Sequence, residues 1–186
     1  MGQNIVGYHE ISLLAFSRRP VAGKELAHVK QFCRTIHTVR YQEFVPGRPR
    51  ALLGLLSTRP RDVVDTYSPQ MERLVEQVCV SKQLDLVMAM EMRTAPYLPL
   101  AKDIPRVLED IELSTIYEQF ATAAHPWRRM RYGLTWWKLQ RYLCTLLQIT
   151  AGCTVVSDRE QELLASVTRG YKQITVVPNG VDLEAN

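Results

Sequence analysis

The chain has 186 residues, 46% of them hydrophobic and 23% charged, with a formal net charge of +4. That balance fits a soluble globular protein with one sizeable core and excludes a disordered or fibrous chain. No apolar run reaches membrane-spanning length, and the stretch from Met1 to Gly7 lacks a signal-peptide pattern.

Ile11 to Phe16 is a short, largely apolar run that reads as a buried strand. Leu26, Val29 and Cys33 then recur at helical spacing, and Thr35 to Tyr41 alternates in period two as a second strand. The segment from Phe44 to Arg61 is rich in proline and arginine around Ala51-Leu52-Leu53-Gly54-Leu55-Leu56, which reads as a short helix between loops. Ser68-Pro69 is a helix start, with a capping hydroxyl before a proline at the first helical position. Met71, Leu74, Val75, Val78 and Cys79 continue that helix as one apolar stripe. Leu84 to Met90 reads as a strand, followed by a loop carrying Glu91, Arg93, Pro96 and Pro99. A strand from Pro105 to Leu108 ends in the acidic cluster Glu109 to Glu112, and Ser114 is placed to cap the next helix. His125-Pro126 interrupts that helix, and a long one follows to about Ile149. Cys153 to Val156 is a strand, Ser157-Asp158-Arg159-Glu160 is a capping box, and Ile174 to Val177 is the last strand.

The alternation of strand and helix predicts an α/β fold: a Rossmann-like, doubly wound, mostly parallel sheet with helices on both faces. In such sheets ligands bind beyond the carboxyl ends of the strands. The residues placed there are Ser17-Arg18-Arg19, Glu91-Met92-Arg93, Asp110-Ile111-Glu112, Ser157-Asp158 and Asn179-Gly180. Glu91 is suited to orient an acceptor hydroxyl, and Arg93 to bind an anion. Asp110 and Glu112, two apart on an extended chain, point to one side and can accept from hydroxyl groups, although helix N-terminal acids explain them equally well. The capping box accounts for Ser157 without a ligand.

Charge is unevenly placed. From Gln119 to Ser157 there is no Asp or Glu, while Arg128, Arg129, Arg131, Lys138 and Arg141 lie there together with Trp127, Trp136 and Trp137. Such a segment reads phosphate groups or an anionic bilayer, with Trp127, Arg128, Arg129 and Arg131 as the contacts; alternatively its arginines simply meet solvent while Leu139, Leu143, Leu146 and Leu147 pack inward. No helix-turn-helix, RNA-recognition or zinc signature accompanies it, so nucleic acid is not the expected partner. Cys33, Cys79, Cys144 and Cys153 form no close pair, which predicts reduced thiols in a cytoplasmic protein, not a disulfide framework or a metal knuckle. His9, His28, His37 and His125 show no partner spacing.

Thr154-Val155-Val156-Ser157-Asp158-Arg159-Glu160, followed by Val176-Val177-Pro178-Asn179-Gly180-Val181-Asp182-Leu183, resembles the end of the N-terminal domain of family-four glycosyltransferases with the GT-B fold. His9 to Ser17 looks like that domain's second strand, and Asp85 to Ala89 and Pro105 to Asp110 like its fourth and fifth. The resemblance spans residues 8 to 184. It implies one acceptor-side domain over residues 1–186, with a core at 8–177 and the start of an interdomain linker at 178–186. It also implies retaining transfer of a sugar, of hexosyltransferase type, from a nucleotide-sugar to a glycan or lipid-linked acceptor in polysaccharide or glycolipid assembly. No bound metal or other cofactor is implied; the nucleotide-sugar is a substrate, held mainly by a second domain. The match begins after the family's first, normally central strand and ends before its donor-binding domain, so the polypeptide reads as a fragment, inactive alone. Leu143 stands where the family often has a glutamate after an Arg-Tyr pair, here Arg141-Tyr142. On this reading Glu91 and Asp110 are catalytic, and Arg93, Glu112, Ser157, Asn179 and Gly180 bind substrate. The expected location is cytoplasmic, peripheral on the inner face of the membrane. The alternative is a non-catalytic half-domain that binds a partner chain carrying the donor site, since an unpaired strand edge invites pairing.

Overall fold

The computed structural model describes residues 9–20, 23–109, 111–168 and 170–180. Six strands alternate with helices. In chain order they are β1 (Ser12–Ser17), α1 (Lys24–Val29), β2 (Thr35–Arg40), α2 (Pro49–Leu56), α3 (Arg61–Thr66), α4 (Pro69–Ser81), β3 (Val87–Met90), α5 (Glu91–Thr94), a 3-10 helix (Ala95–Leu100), β4 (Arg106–Glu109), α6 (Ser114–Ala121), α7 (Pro126–Leu147), β5 (Gly152–Val155), α8 (Asp158–Val167) and β6 (Ile174–Val176). Every strand pair is parallel, so the fold is α/β and Rossmann-like.

The strands form two sheets. β1 pairs only with β2, from Ser12 opposite Thr35 to Ser17 opposite Arg40. The other sheet runs β3-β4-β5-β6. Both ends of β3 are nevertheless tied to the first sheet. Before β3, the Lys82 ammonium donates to Ser12 Oγ and Thr35 Oγ1, each at 2.8 Å, where β1 and β2 begin. After β3, the Arg93 guanidinium lies 5.1 Å from the centre of the Tyr41 ring, where β2 has just ended. The two sheets therefore run in the same sense, side by side, and among the described residues β1 and β3 each keep one edge without a strand.

Two elements differ from the sequence reading. Residues 61–66 form a helix of their own, and the segment after β3, read as a loop, is helical throughout. There Pro96 stands in the first turn of a 3-10 helix, where an N–H has no partner within the helix, and Pro99 lies inside it. Elsewhere local chemistry decides. The Ser68 hydroxyl accepts from Met71 N at 3.3 Å, and Pro69 opens α4, which buries Met71 and Val78. α7 buries Trp136, Leu139, Leu143, Leu146 and Leu147. Gly133 lets α7 approach α6: a Cβ there would lie 3.1 Å from Phe120 Cε2.

Most of the core lies on β3 to β6, where Leu98, Leu108, Ile111, Leu113, Leu143, Val155 and Leu164 are almost fully buried. A smaller cluster of Val39, Met71 and Tyr97 joins β2 to α4, with Leu14 and Phe16 packed against it.

Candidate functional site at the carboxyl edge of the strands

β1 and β2 pair in parallel, and the Arg93–Tyr41 contact brings the carboxyl end of β3 beside theirs. Tyr41 lies at its centre. Its amide donates to Ser17 O at 2.8 Å, which continues the ladder past β2. Its ring meets Phe16 edge-on at 6.5 Å. Two guanidinium groups lie against it, Arg18 at 5.2 Å and Arg93 at 5.1 Å from the ring centre. Cation–π attraction holds both side chains in place while they stay open to solvent. Arg18 also pairs with Glu43 at 3.3 Å. Among the described residues Arg93 forms no ion pair, so its charge is available to an anion.

Glu91 stands one residue beyond β3 with φ of 64°, the only positive φ at a residue other than glycine among the described residues. A side chain in the left-handed region costs about 1–2 kcal/mol. Strain of this kind marks functional sites when the surroundings hold it in place. Here they do: the Thr94 hydroxyl donates to Met90 O and, at 3.3 Å, to Glu91 O, and fixes the turn from β3 into α5. The Glu91 side chain is exposed and, among the described residues, forms no ion pair.

The remaining candidates fare differently. Asp110 lies outside the described residues. Glu112 is exposed and accepts from Thr115 Oγ1 at 2.8 Å, within the first turn of α6. Ser157 Oγ accepts from Glu160 N at 3.3 Å and so caps α8. Asn179 and Gly180 follow β6, exposed and without regular structure. Trp127, Arg128, Arg129 and Arg131 are all exposed on the first turns of α7, away from the Tyr41 cluster in sequence and in contacts.

Glu160 corrects the expected capping box. Its carboxylate does not return to Ser157. It is buried and accepts from Leu113 N at 2.7 Å and Ser114 N at 3.0 Å, at the start of α6. A buried carboxylate facing free amides at a helix N-terminus satisfies both groups. The expected cap of α6, Ser114, is instead its first helical residue. Sequence reasoning also missed Tyr41 and the Arg18–Arg93 pair around it, because the three residues come from three strands.

Among the described residues, no group of His, Cys, Asp and Glu is arranged to hold a metal ion, and no helix is long and apolar enough to cross a membrane. No family model matches the chain, and no curated protein matches it.

Proposed function

We propose that this chain is the acceptor-side domain of a retaining glycosyltransferase that moves a sugar from a nucleotide-sugar to a glycan or lipid-linked acceptor. One observation carries the reading. The strands all pair in parallel, and they fall into two sheets, β1-β2 and β3-β4-β5-β6, that no strand joins among the described residues. In the resembled domain a central first strand joins two such groups into one sheet. Two further observations support it. Arg93 offers an unpaired cation at the carboxyl edge, and Glu91 stands beside it in a strained turn. In such a site Glu91 accepts a hydrogen bond from the acceptor hydroxyl and aims its oxygen at the anomeric carbon. Arg18 and Arg93 hold anionic groups of the substrates. The nucleotide lies chiefly on a second domain, and Asn179-Gly180 lead the chain toward it. The site works at the inner face of the membrane, where lipid-linked acceptors are presented.

The test is an extended polypeptide that carries coding sequence from both flanks, screened for transfer and hydrolysis with a panel of nucleotide-sugars. Transfer that falls at least tenfold on Arg93→Ala or Glu91→Gln supports the proposal. A folded extended protein that is inert with every donor overturns it.

A second reading is a half-domain that pairs with a chain carrying the donor site. The unpaired edges of β1 and β3 favour it, because parallel strand edges recruit strands. Light scattering after size exclusion separates the two readings. A stable monomer at all concentrations, with no partner retained by affinity capture from the source cell, removes the second.

A further inference from the structure

We infer that α2 and the exposed side of α7 form one surface that docks on an anionic lipid bilayer. α2 buries Ala51 and Gly54 and leaves its four leucines exposed: Leu52, Leu53, Leu55 and Leu56, by 49%, 64%, 47% and 89%. An outward leucine face on a helix of this length is the reverse of ordinary amphipathic packing. α7 adds Trp127, Met130, Leu134 and Trp137, all exposed at three- and four-residue spacing along one stripe.

Lys138 joins the two faces. Its ammonium is buried and donates to Gly54 O and Leu55 O, both at 2.8 Å, at the carboxyl end of α2. The leucines of α2 are thereby fixed beside Leu134, Trp137 and Arg141, which flank Lys138 on α7.

The charge identifies the occupant. Arg128, Arg129, Arg131 and Arg141 are exposed, and among the described residues none of them forms an ion pair. Arg50 and Arg59 flank the leucines and are likewise exposed. The apolar side chains protrude rather than line a groove, so they suit insertion between lipid headgroups better than capture of a partner helix. Tryptophan at the margin and arginine interspersed with leucine match the polar–apolar boundary of a bilayer. Each arginine near an anionic surface strengthens binding about fivefold at moderate salt.

The test is co-sedimentation of the protein with vesicles of phosphatidylcholine, with and without phosphatidylglycerol, followed by tryptophan emission. Binding to anionic vesicles with a blue shift from Trp127 and Trp137, lost at high salt, is expected. A variant with Leu52, Leu53 and Leu56 all changed to Ser should bind at least tenfold more weakly. A variant with Arg128, Arg129 and Arg131 all changed to Ala should bind about 100-fold more weakly. All six side chains are exposed, so both variants should keep the parent circular dichroism spectrum. Absence of sedimentation with anionic vesicles overturns the inference, as does equal binding by the leucine variant. Self-association that the leucine variant abolishes, without vesicle binding, assigns the face to a second copy and also overturns it. These outcomes do not depend on transfer activity, so the glycosyltransferase proposal can fail while this one stands.

Discussion

The two sheets are built from the same kind of parallel strand and differ in what supports them. On the β3–β6 side, sixteen residues form one continuous buried cluster among the described residues. On the β1–β2 side the corresponding cluster has three, Val39, Met71 and Tyr97. β5 alternates between half-buried and buried positions, whereas all six residues of β1 are half-buried. β3 shows where support ends: Ala89 is buried, while Leu86, Met88 and Met90 on its other side are 47%, 49% and 54% exposed. A strand's sequence therefore fixes its tendency to extend, but its burial depends on the neighbours that cover it. The candidate site lies at the carboxyl edge where the two halves meet: Arg18 and Tyr41 follow the strands of the less supported one, and Glu91 and Arg93 follow β3.

The sharpest way to break this comparison is to truncate one buried aliphatic side chain in each half. Leu143 is fully buried in the larger core, and Leu143→Ala should cost about 3 kcal/mol by urea titration. Val39 is buried in the smaller core, and Val39→Ala should cost about 1 kcal/mol, because the thinly packed surroundings collapse into the space. Native-state hydrogen exchange checks the same contrast without mutation. Amides of β4 and β5 should exchange only on global unfolding, and those of β1 and β2 at least tenfold faster. Equal protection in the two sheets would overturn the distinction.

The supported half also owes its stability to a polar contact. Glu160→Ala leaves the amides of Leu113 and Ser114 facing a buried void, and should cost about 2 kcal/mol. Glu160→Gln keeps one acceptor oxygen and should lose about half of that. A cost below 0.5 kcal/mol for the alanine variant, roughly the level of a surface substitution, would mean that the carboxylate is not holding α6.

A third contrast is a matter of pH. Burial raises the Cys153 thiol from 9.0 to about 11. The folded state thus keeps a proton that the unfolded state releases between those values. The resulting stability is complete below pH 9 and is lost as pH rises through about 11, by about 3 kcal/mol. Tyr97 and Tyr142 are also raised by burial and add to the decline above pH 10. Cys153→Ala should therefore flatten the profile chiefly between pH 9 and 10. The half-buried thiols Cys33, Cys79 and Cys144 should react with a thiol reagent in the native state well before Cys153.

What the sequence disclosed depends on how far apart the interacting residues lie. Ser68 and Ser157 cap helices through amides three residues on, and both were legible. The long α7 helix and its inward leucines followed from spacing alone. Glu160 was misread because its partners lie 46 and 47 residues away, and a nearby capping pattern offered a simpler use for it. The division of the sheet was not legible either, since alternating strands and helices state direction but not adjacency. Leu52, Leu53 and Leu56 read as part of a short helix; that they face outward depends on Lys138, more than 80 residues along the chain. At the candidate site, Glu91 and Arg93 were placed by the rule that ligands gather beyond strand ends. Tyr41, which organises the two arginines, ended a strand with no motif to mark it.

The smallest expected effect tests whether the junction of the two halves carries the function. Glu91 holds φ of 64°, a conformation that glycine adopts without a Cβ penalty. Glu91→Gly should therefore stabilise the protein by about 0.5–1 kcal/mol, net of the greater freedom glycine gives the unfolded chain. Glu91→Ala keeps the strain and should change stability by less than 0.5 kcal/mol, as expected of an exposed position. If the carboxylate positions an acceptor, both variants lose transfer in the extended protein, including the one that has become more stable. A gain in stability with activity retained would show that the turn is only strained, and would move the search for the acting carboxylate to another strand end.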